Sequence, residues 1–216
     1  MLPGAIFDMD GLLLDTEKLY EQAWKNAAKA FGQEHSREFH RVVCGTNGQQ
    51  MLKVIAKYYP HVNNSKFIEY CLNDFQKMIK EDVPEKPGMR KILNYFKYNG
   101  VKMAVASSSA PEVIASNLDR LGVLKYFTAV VSGHQVSKGK PAPDIFQLAA
   151  QKLELLPQQC YVFEDSGNGV RAGAAAQCRT IMIPDLIPPT EELRQLSDKV
   201  YNSLSEFVEA SAKGEI

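Results

Sequence analysis

Short apolar runs recur along this chain at the spacing of βαβ units. They are too short for helices and occupy residues 5–7, 101–106, 129–131, 161–163 and 180–183. Segments of helical periodicity separate the last four runs, for example Val113 to Leu121, which Gly122 closes. Continuous apolar runs are typical of parallel strands that are buried on both faces. The sequence therefore predicts an α/β fold built on an open, doubly wound parallel sheet.

The first interval breaks this spacing, because the first two runs are separated by far more chain than one crossover helix requires. Apolar residues in the interval form three helical stripes: Tyr20, Trp24, Ala27 and Phe31; Met51, Leu52, Ile55 and Tyr59; and Phe67, Ile68, Cys71, Leu72, Phe75 and Met78. We therefore expect a small α-helical domain at residues 16–82, inserted into an α/β core of residues 1–15 and 83–216. Residues 83–88, rich in Pro and Gly, are its expected return hinge.

Charge and composition argue for a small, discrete ligand. Lys and Arg number 25 and so do Asp and Glu, and no long basic run offers a surface for nucleic acid or anionic membranes. No apolar stretch approaches the ~20 residues that span a bilayer. The four cysteines lack paired C-x-x-C spacing, and the four histidines are scattered. We expect a cytoplasmic monomer with reduced cysteines.

Polar residues stand at the carboxyl ends of the predicted strands or in the loops that follow them. These residues are Asp8, Asp10, Ser107, Lys140, Glu164 and Asp165. Open α/β sheets bind ligands at this edge, so side chains distant in sequence are expected to converge on one crevice. The sequence thus predicts a site of four carboxylates, a hydroxyl and an ammonium group.

Four carboxylates in one crevice require a compensating positive charge, because like charges raise one another's pKa. Oxygen ligands without His or Cys favour Mg²⁺ or Ca²⁺ over zinc. A protein shell that leaves room for water and phosphate oxygens favours Mg²⁺. We therefore expect magnesium as the cofactor, bridging and neutralising a bound phosphate.

Asp8 and Asp10 are two residues apart, so an extended backbone points both side chains to the same side. Such a pair can divide the work of phosphoryl transfer. One carboxylate attacks phosphorus to form an acyl phosphate, while the other protonates the leaving alcohol and later deprotonates the attacking water. Ser107 can donate to a phosphoryl oxygen, and Lys140 can stabilise the charge that develops in the transition state.

Simpler structural interpretations stand beside these roles. Helix or turn capping could explain Asp8, the pair Glu164 and Asp165, and any of Ser107 to Ser109, which precede a helix beginning near Pro111. Lys138 competes with Lys140 as the cation of the site. The Pro-Ala-Pro-Asp sequence after Lys140 favours Lys140.

The polar segments, taken together, resemble the motifs of the haloacid dehalogenase superfamily. Residues 8–16, Asp-Met-Asp-Gly-Leu-Leu-Leu-Asp-Thr, resemble the first motif, and Ser107 closes a Val-Ala-Ser stretch like the second. Residues 140–144, Lys-Pro-Ala-Pro-Asp, resemble the third, and residues 163–169 the fourth. The motifs follow one another in the family order and span most of the chain.

The resemblance implies specific roles. Asp8 is the expected nucleophile and Asp10 the expected general acid and base. The magnesium ligands would be the Asp8 side chain, the Asp10 backbone carbonyl and Asp165, with Glu164 assisting through water. Dehalogenating members lack a second aspartate two residues after the nucleophile, so Asp10 points to phosphoryl chemistry. The insertion corresponds to a helical cap that closes over the crevice and excludes water.

Substrate contacts are expected from the cap and from the second motif. Tyr20 lies on the first cap helix, although an aromatic stripe is more often core. The segment Gly45, Thr46 and Asn47, before Gly48, resembles the family's substrate-selecting cap loop, with a plain turn as the alternative. Ser108 is the remaining candidate for substrate binding.

The sequence therefore predicts a phosphatase that acts on a small phosphorylated metabolite, such as a sugar or polyol phosphate. The alternative is a phosphosugar mutase resembling β-phosphoglucomutase, which must hold a second phosphate with cations on the cap and near the second motif. This chain instead has Cys44 and Gly48 around its cap loop and Ala110 after the serines. A phosphoaccepting signalling receiver is disfavoured, because receivers are much shorter and lack the helical insertion.

Overall fold

The computed structural model describes residues 1–43, 48–185 and 188–215. The chain divides into two compact units. The core unit comprises Met1–Leu14 and Glu85–Ile216, and the inserted unit comprises Asp15–Pro84. The sequence had placed these boundaries after Asp15 and after Asp82.

The inserted unit consists, in its described part, of helices α1 (Thr16–Ala30), α2 (Arg37–Val43), α3 (Gly48–Tyr58) and α4 (Asn64–Glu81). Helix α4 begins with a side-chain cap, since Asn63 accepts a hydrogen bond from the Lys66 backbone N–H. The three predicted stripes lie on α1, α3 and α4. Periodicity did not reveal α2, which is only 7 residues long.

Aromatic packing forms the centre of the inserted unit. The Trp24 ring lies 5.7 Å from the Phe67 ring and 5.3 Å from that of Phe39, measured between centroids. Tyr59 lies 4.8 Å from Phe39 in a T-shaped arrangement. Rings bury large apolar areas and prefer such tilted or offset contacts, so this cluster contributes strongly to the stability of the unit.

The core unit is built on a parallel sheet whose strands, within the described residues, are β1 (Gly4–Phe7), β2 (Lys102–Ser107), β3 (Ala129–Ser132), β4 (Cys160–Glu164), β5 (Arg179–Met182) and β6 (Lys199–Val200). Their order is β3-β2-β1-β4-β5-β6, and every pairing is parallel. The predicted α/β class and doubly wound sheet are thus confirmed. The chain order reverses between β1 and β4, which is the switch point where such sheets bind ligands.

The remaining helices belong to the core unit: α5 (Met89–Tyr98), α6 (Pro111–Arg120), α7 (Asp144–Lys152), α8 (Gly167–Ala175), α9 (Glu191–Leu196) and α10 (Leu204–Ala212). Alternate strand residues face opposite sides of the sheet. On one side the Phe7 ring stacks on Phe163, 4.9 Å between centroids, and Phe163 meets Phe207 of α10 at 4.7 Å. On the other side Ile6 belongs to a buried apolar cluster with Phe146 of α7. Burial on both faces fixes the central strands, and with them the residues that follow β1 and β4.

The described helices include none with the length and apolar character needed to cross a bilayer. The thiols of Cys71, Cys160 and Cys178 are free and buried. Cys44 lies outside the described residues.

Candidate active site

Asp8 lies directly after the central strand β1, at the switch point of the sheet. Its backbone N–H donates to the Phe163 carbonyl of β4 at 3.0 Å, which continues the strand pairing to the start of the site. The following residues form a tight loop in which the N–H groups of Leu13 and Leu14 both donate to the Met9 carbonyl. Asp8 is 7% exposed, so its carboxylate belongs to a nearly closed environment.

Gly11 allows this loop to approach the fourth motif. Its φ of +86° lies in the left-handed region, which disfavours residues with a Cβ. A Cβ at this position would also overlap the Asp165 carboxylate. The glycine of the first motif is therefore needed both for the turn and for the contact with Asp165.

Lys140 joins the first and fourth motifs through its ammonium group. Its Nζ lies 2.6 Å from Asp8 Oδ1 and 2.6 Å from Glu164 Oε1, and it also donates to the Ala106 carbonyl at 3.1 Å. Lys138, the competing candidate, is exposed. The geometry therefore places Lys140 in the site.

Glu164 is fully buried, and protein donors surround its carboxylate. While Oε1 contacts Lys140, Oε2 accepts from the Asp165 and Ser166 backbone N–H groups, each at 3.1 Å, and from the Ser166 hydroxyl at 3.0 Å. A Cβ on Gly169 would overlap this carboxylate. The first turn of α8 is thus packed directly against Glu164.

Capping does not account for the acidic pair. The N-cap of α8 is Ser166, whose hydroxyl accepts from the Gly169 N–H at 3.0 Å. Likewise, the N-cap of α6 is Ala110, which makes no side-chain cap bond, so none of the three preceding serines caps that helix. Both groups of polar residues are therefore available for roles in the crevice.

Three carboxylates form a cluster suited to a hard cation. One oxygen from each of Asp8, Glu164 and Asp165 lies within 4.8 Å of the others. All the donors are oxygens, as Mg²⁺ or Ca²⁺ prefers, and the group includes no soft ligand. These residues fit the expected magnesium ion.

The electrostatics of the cluster show how much negative charge is concentrated there. The pKa of Asp8 is raised to about 8: burial is the largest cause, the Glu164 and Asp10 carboxylates also raise the pKa, and Lys140 lowers it. Burial and the neighbouring Glu164 also raise the pKa of Asp165. For Lys140, burial acts to lower the pKa, but the Asp8 and Glu164 carboxylates outweigh it and raise the pKa. One ammonium group is thus held charged among several crowded carboxylates.

Asp10 lies beside the second motif and contacts two of its serines. Its Oδ2 accepts from the Ser109 hydroxyl at 2.9 Å and from the Ser107 hydroxyl at 3.3 Å. Ser108, which lies between these two serines, is exposed. Sequence reasoning missed Ser109, although residues two apart at a strand end point to the same side, and that period could have identified it with Ser107.

The expected substrate contacts of the inserted unit, Tyr20 included, stay predictions. The Tyr20 ring stacks on Phe75 with centroids 4.0 Å apart, and Trp24 is buried in the aromatic centre. Gly45, Thr46 and Asn47 lie outside the described residues.

Comparison with known proteins identifies the family. Residues 5–183 match the family model described as haloacid dehalogenase-like hydrolase. A phosphorylated carbohydrates phosphatase of Thermotoga maritima is 33% identical over 183 residues, which cover 81% of this chain and 82% of that protein. The β-phosphoglucomutase of Bacillus subtilis is 29% identical over 223 residues and 95% of each chain.

A solved structure agrees with this relationship. It is a HAD family hydrolase from Deinococcus radiodurans with bound phosphate and sodium. It superposes with a TM-score of 0.86 at 25% identity and covers 99% of this chain and 96% of that one. The chain therefore belongs to the haloacid dehalogenase-like hydrolases and is an enzyme of that family.

Proposed function

We propose that this hydrolase is a magnesium-dependent phosphatase that acts on a small sugar or polyol phosphate through an aspartyl phosphate on Asp8. Membership of the hydrolase family and the similarity to a named phosphatase make the chain a phosphatase-type enzyme. One observation above all supports the finer proposal. The Asp8 carboxylate lies at the switch point of the sheet, 2.6 Å from the Lys140 ammonium and within the three-carboxylate cluster.

The reaction has two displacements at phosphorus. In the first, an Asp8 oxygen bonds to phosphorus while the bond from phosphorus to the substrate oxygen breaks, and Asp10 gives its proton to the leaving alkoxide. In the second, Asp10 takes a proton from water as the water oxygen bonds to phosphorus and the bond to Asp8 breaks. The sum is phosphate monoester plus water giving alcohol plus inorganic phosphate, with both aspartates restored.

Lys140 and Ser107 suit the charge that accompanies these steps. The ammonium is fixed by Glu164 and the Ala106 carbonyl, so it needs little reorganisation when negative charge spreads over the phosphoryl oxygens. Ser107 lies at the end of β2, and its hydroxyl, which donates to Asp10 in this structure, can rotate to donate to a phosphoryl oxygen. Lys140, which lies in the loop between β3 and α7, is held against the sheet by its contacts with Ala106 of β2 and Glu164 of β4.

Asp8 and Asp165, with the backbone carbonyl of Asp10, would hold the magnesium ion. When bound, the ion supplies positive charge that neutralises the phosphoryl oxygens. Glu164 contributes charge to this region, and its carboxylate also holds Lys140 and the turn that carries Asp165 in place. We therefore assign Glu164 chiefly to positioning.

A mutase is the second candidate, favoured by the similarity to the Bacillus subtilis β-phosphoglucomutase. A mutase must bind a second phosphate, which calls for cationic residues beside the second motif. Here that position is Ala110, the N-cap of α6, which offers no charged side chain. Hydrolysis is the better supported reaction.

The test supplies the purified enzyme and Mg²⁺ with β-glucose 1-phosphate and with a panel of hexose, pentose and polyol phosphates. Free phosphate and glucose 6-phosphate are measured separately. A phosphatase releases free phosphate from members of the panel. With any hexose phosphate that it accepts, free phosphate forms faster than an isomeric sugar phosphate. Faster accumulation of glucose 6-phosphate, accelerated by a trace of glucose 1,6-bisphosphate, would overturn hydrolysis in favour of the mutase.

A further inference from the structure

The Asp10 carboxylate accepts hydrogen bonds from two hydroxyls of the second motif, those of Ser107 and Ser109. Its backbone is fixed in the loop by the Gly11 N–H, which donates to the Leu14 carbonyl at 2.9 Å, and by a bridge between residues 10 and 14. These backbone contacts do not themselves set the χ angles of the side chain, which depend on side-chain contacts. The Ser107 and Ser109 hydroxyls, both at Oδ2, restrict those angles.

Of these two hydroxyl contacts, the one from Ser109 is the shorter. Ser109 Oγ lies 2.9 Å from Oδ2, whereas Ser107 Oγ lies 3.3 Å away. Ser107 Oγ also accepts the Ser109 backbone N–H at 3.1 Å, so it is part of the same turn. A hydroxyl that donates to a carboxylate makes a charge-assisted bond, which is stronger and more directional than a neutral one.

The backbone of Ser109 is fixed by a hydrogen bond from Ser132, the last residue of β3. The buried Ser132 hydroxyl donates to the Ser109 carbonyl at 2.6 Å and accepts the His134 N–H at 3.1 Å. A relay of hydrogen bonds thus runs from the turn after β3, through Ser132 and Ser109, to Asp10. The relay connects three segments of the core unit that are distant in sequence.

We infer that Ser109 is a positioning residue, which orients the Asp10 carboxylate for proton transfer to the leaving oxygen and from the attacking water. This inference rests on the proposed role of Asp10 as general acid and base. Proton transfer requires the carboxyl oxygen to lie within hydrogen-bond reach of the oxygen that it serves, and displacements of about 1 Å cost up to ~10²-fold in rate. Ser109 performs no bond-making step of its own.

Leaving-group dependence separates this role from substrate binding. An alkyl phosphate such as glycerol 3-phosphate has a poor leaving group that needs a proton, whereas the nitrophenolate of p-nitrophenyl phosphate can leave without one. Loss of proton transfer therefore lowers kcat/KM selectively for the alkyl phosphate. Loss of a contact with the phosphoryl group would raise KM for both esters alike, because both carry that group, and loss of a contact with the alcohol would raise KM for one ester without lowering its kcat.

The experiment measures kcat and KM of Ser109→Ala on both esters. We expect kcat/KM for glycerol 3-phosphate to fall about 10- to 100-fold, a part of the ~10²–10⁴-fold effect of a general acid. The value for p-nitrophenyl phosphate should change less than about threefold, because its first displacement does not need the acid. Ser109→Thr, which keeps the hydroxyl, should restore most of the alkyl phosphate activity, whereas Ser109→Cys, a weak donor of similar size, should not.

Asp10→Asn, assayed in parallel, distinguishes failure of this inference from failure of the proposed function. If Asp10→Asn shows the leaving-group selectivity and Ser109→Ala does not, the positioning role is wrong while the mechanism stands. Absence of selectivity in Asp10→Asn would contradict the acid–base role of Asp10 and the inference with it. Equal losses on both esters in Ser109→Ala, or a rise in KM alone, would also overturn the positioning role.

Discussion

The two units of the chain differ in what they bury. The core unit holds a closely spaced cluster of Asp8, Glu164 and Asp165, with the Lys140 side chain almost fully buried beside it. The inserted unit centres on packed rings, such as Trp24 on Phe67. Buried charges contribute little to stability after desolvation, while buried rings contribute a great deal. The core unit also has packed rings, such as Phe7 on Phe163, so the two units differ chiefly in the buried charges. The charged cluster at the edge of the core sheet costs stability, and the proposed reaction explains why it is there.

Asp8→Asn should cause the largest loss of activity with little change in stability. The amide keeps the shape of the side chain but is a poor nucleophile, so kcat should fall by about 10⁴-fold or more. Thermal unfolding should change little, because an amide is cheaper to bury than a carboxylate. Turnover and the unfolding midpoint, measured together, test both statements.

The matched control is Asp119→Asn, the same substitution at an exposed position of α6. It should leave both the rate and the unfolding midpoint unchanged. If Asp8→Asn kept more than about a hundredth of the wild-type rate, Asp8 would not be the nucleophile. The loss of rate would then be smaller than the ~10²–10⁴-fold loss typical of a key catalytic group.

Removal of divalent metal should also act on the core unit alone. A chelator should lower turnover by at least about 10²-fold, since bound metal contributes several kcal/mol to charge stabilisation. Mg²⁺ should restore the rate, and Ca²⁺, which is larger and takes more ligands, should restore little of it.

Bound Mg²⁺ should also stabilise the core unit against unfolding and leave the local stability of the inserted unit unchanged. At 100 times its Kd, Mg²⁺ should stabilise the fold that binds it by about 2.7 kcal/mol. Amide exchange should slow near Asp8 and Asp165, and it should be unchanged in α1 and α4. Full activity in chelator, or protection confined to the inserted unit, would contradict the metal assignment.

Phe67→Ala should have the smallest effect on turnover and a large effect on stability. Its ring is fully buried and contacts those of Trp24 and Tyr59, so its loss should cost about 3–5 kcal/mol of unfolding free energy. Well below the new midpoint, kcat should remain within a few-fold of wild type. Denaturant unfolding and steady-state rates of the same preparation provide the measurement.

Leu72→Ala on the same helix is the control, because Leu72 is 44% exposed. It should cost no more than about 0.5 kcal/mol. A Phe67→Ala enzyme with an unchanged midpoint and a much lower kcat would reverse the contrast between the units, since it would give the aromatic cluster a direct part in the reaction.

Local patterns predicted most of the fold. The five apolar runs correspond to β1 to β5, and the three stripes of the insertion lie on α1, α3 and α4. The sequence analysis did not assign helices α5, α9 and α10. It also missed the two-residue β6 and the 7-residue α2, which are too short to show a period. Hydrophobic periodicity needs several repeats before it can be distinguished from chance.

The sequence predicted some parts of the candidate site and not others, because it shows only features that are local in the chain. The sequence placed Asp8, Asp10 and the Glu164–Asp165 pair after their strands, because the end of a buried strand can be recognised from nearby residues. It did not indicate that Glu164 would hold both Lys140 and the first turn of α8, nor that Ser109 would contact Asp10. These contacts depend on the alignment of neighbouring strands.

Local sequence patterns were sufficient to predict the alternation of strands and helices, the place of the insertion and the acidic residues at the strand ends. All of these follow from periodicities and motifs that lie within a few residues of one another. Only the tertiary structure brought Lys140, which the sequence had favoured over Lys138, into contact with Asp8, and only it joined Ser132, Ser109 and Asp10 by hydrogen bonds. The physical reason is that a hydrogen bond between segments far apart in the chain requires atoms within about 3 Å, and only the register of the packed parallel strands sets such distances.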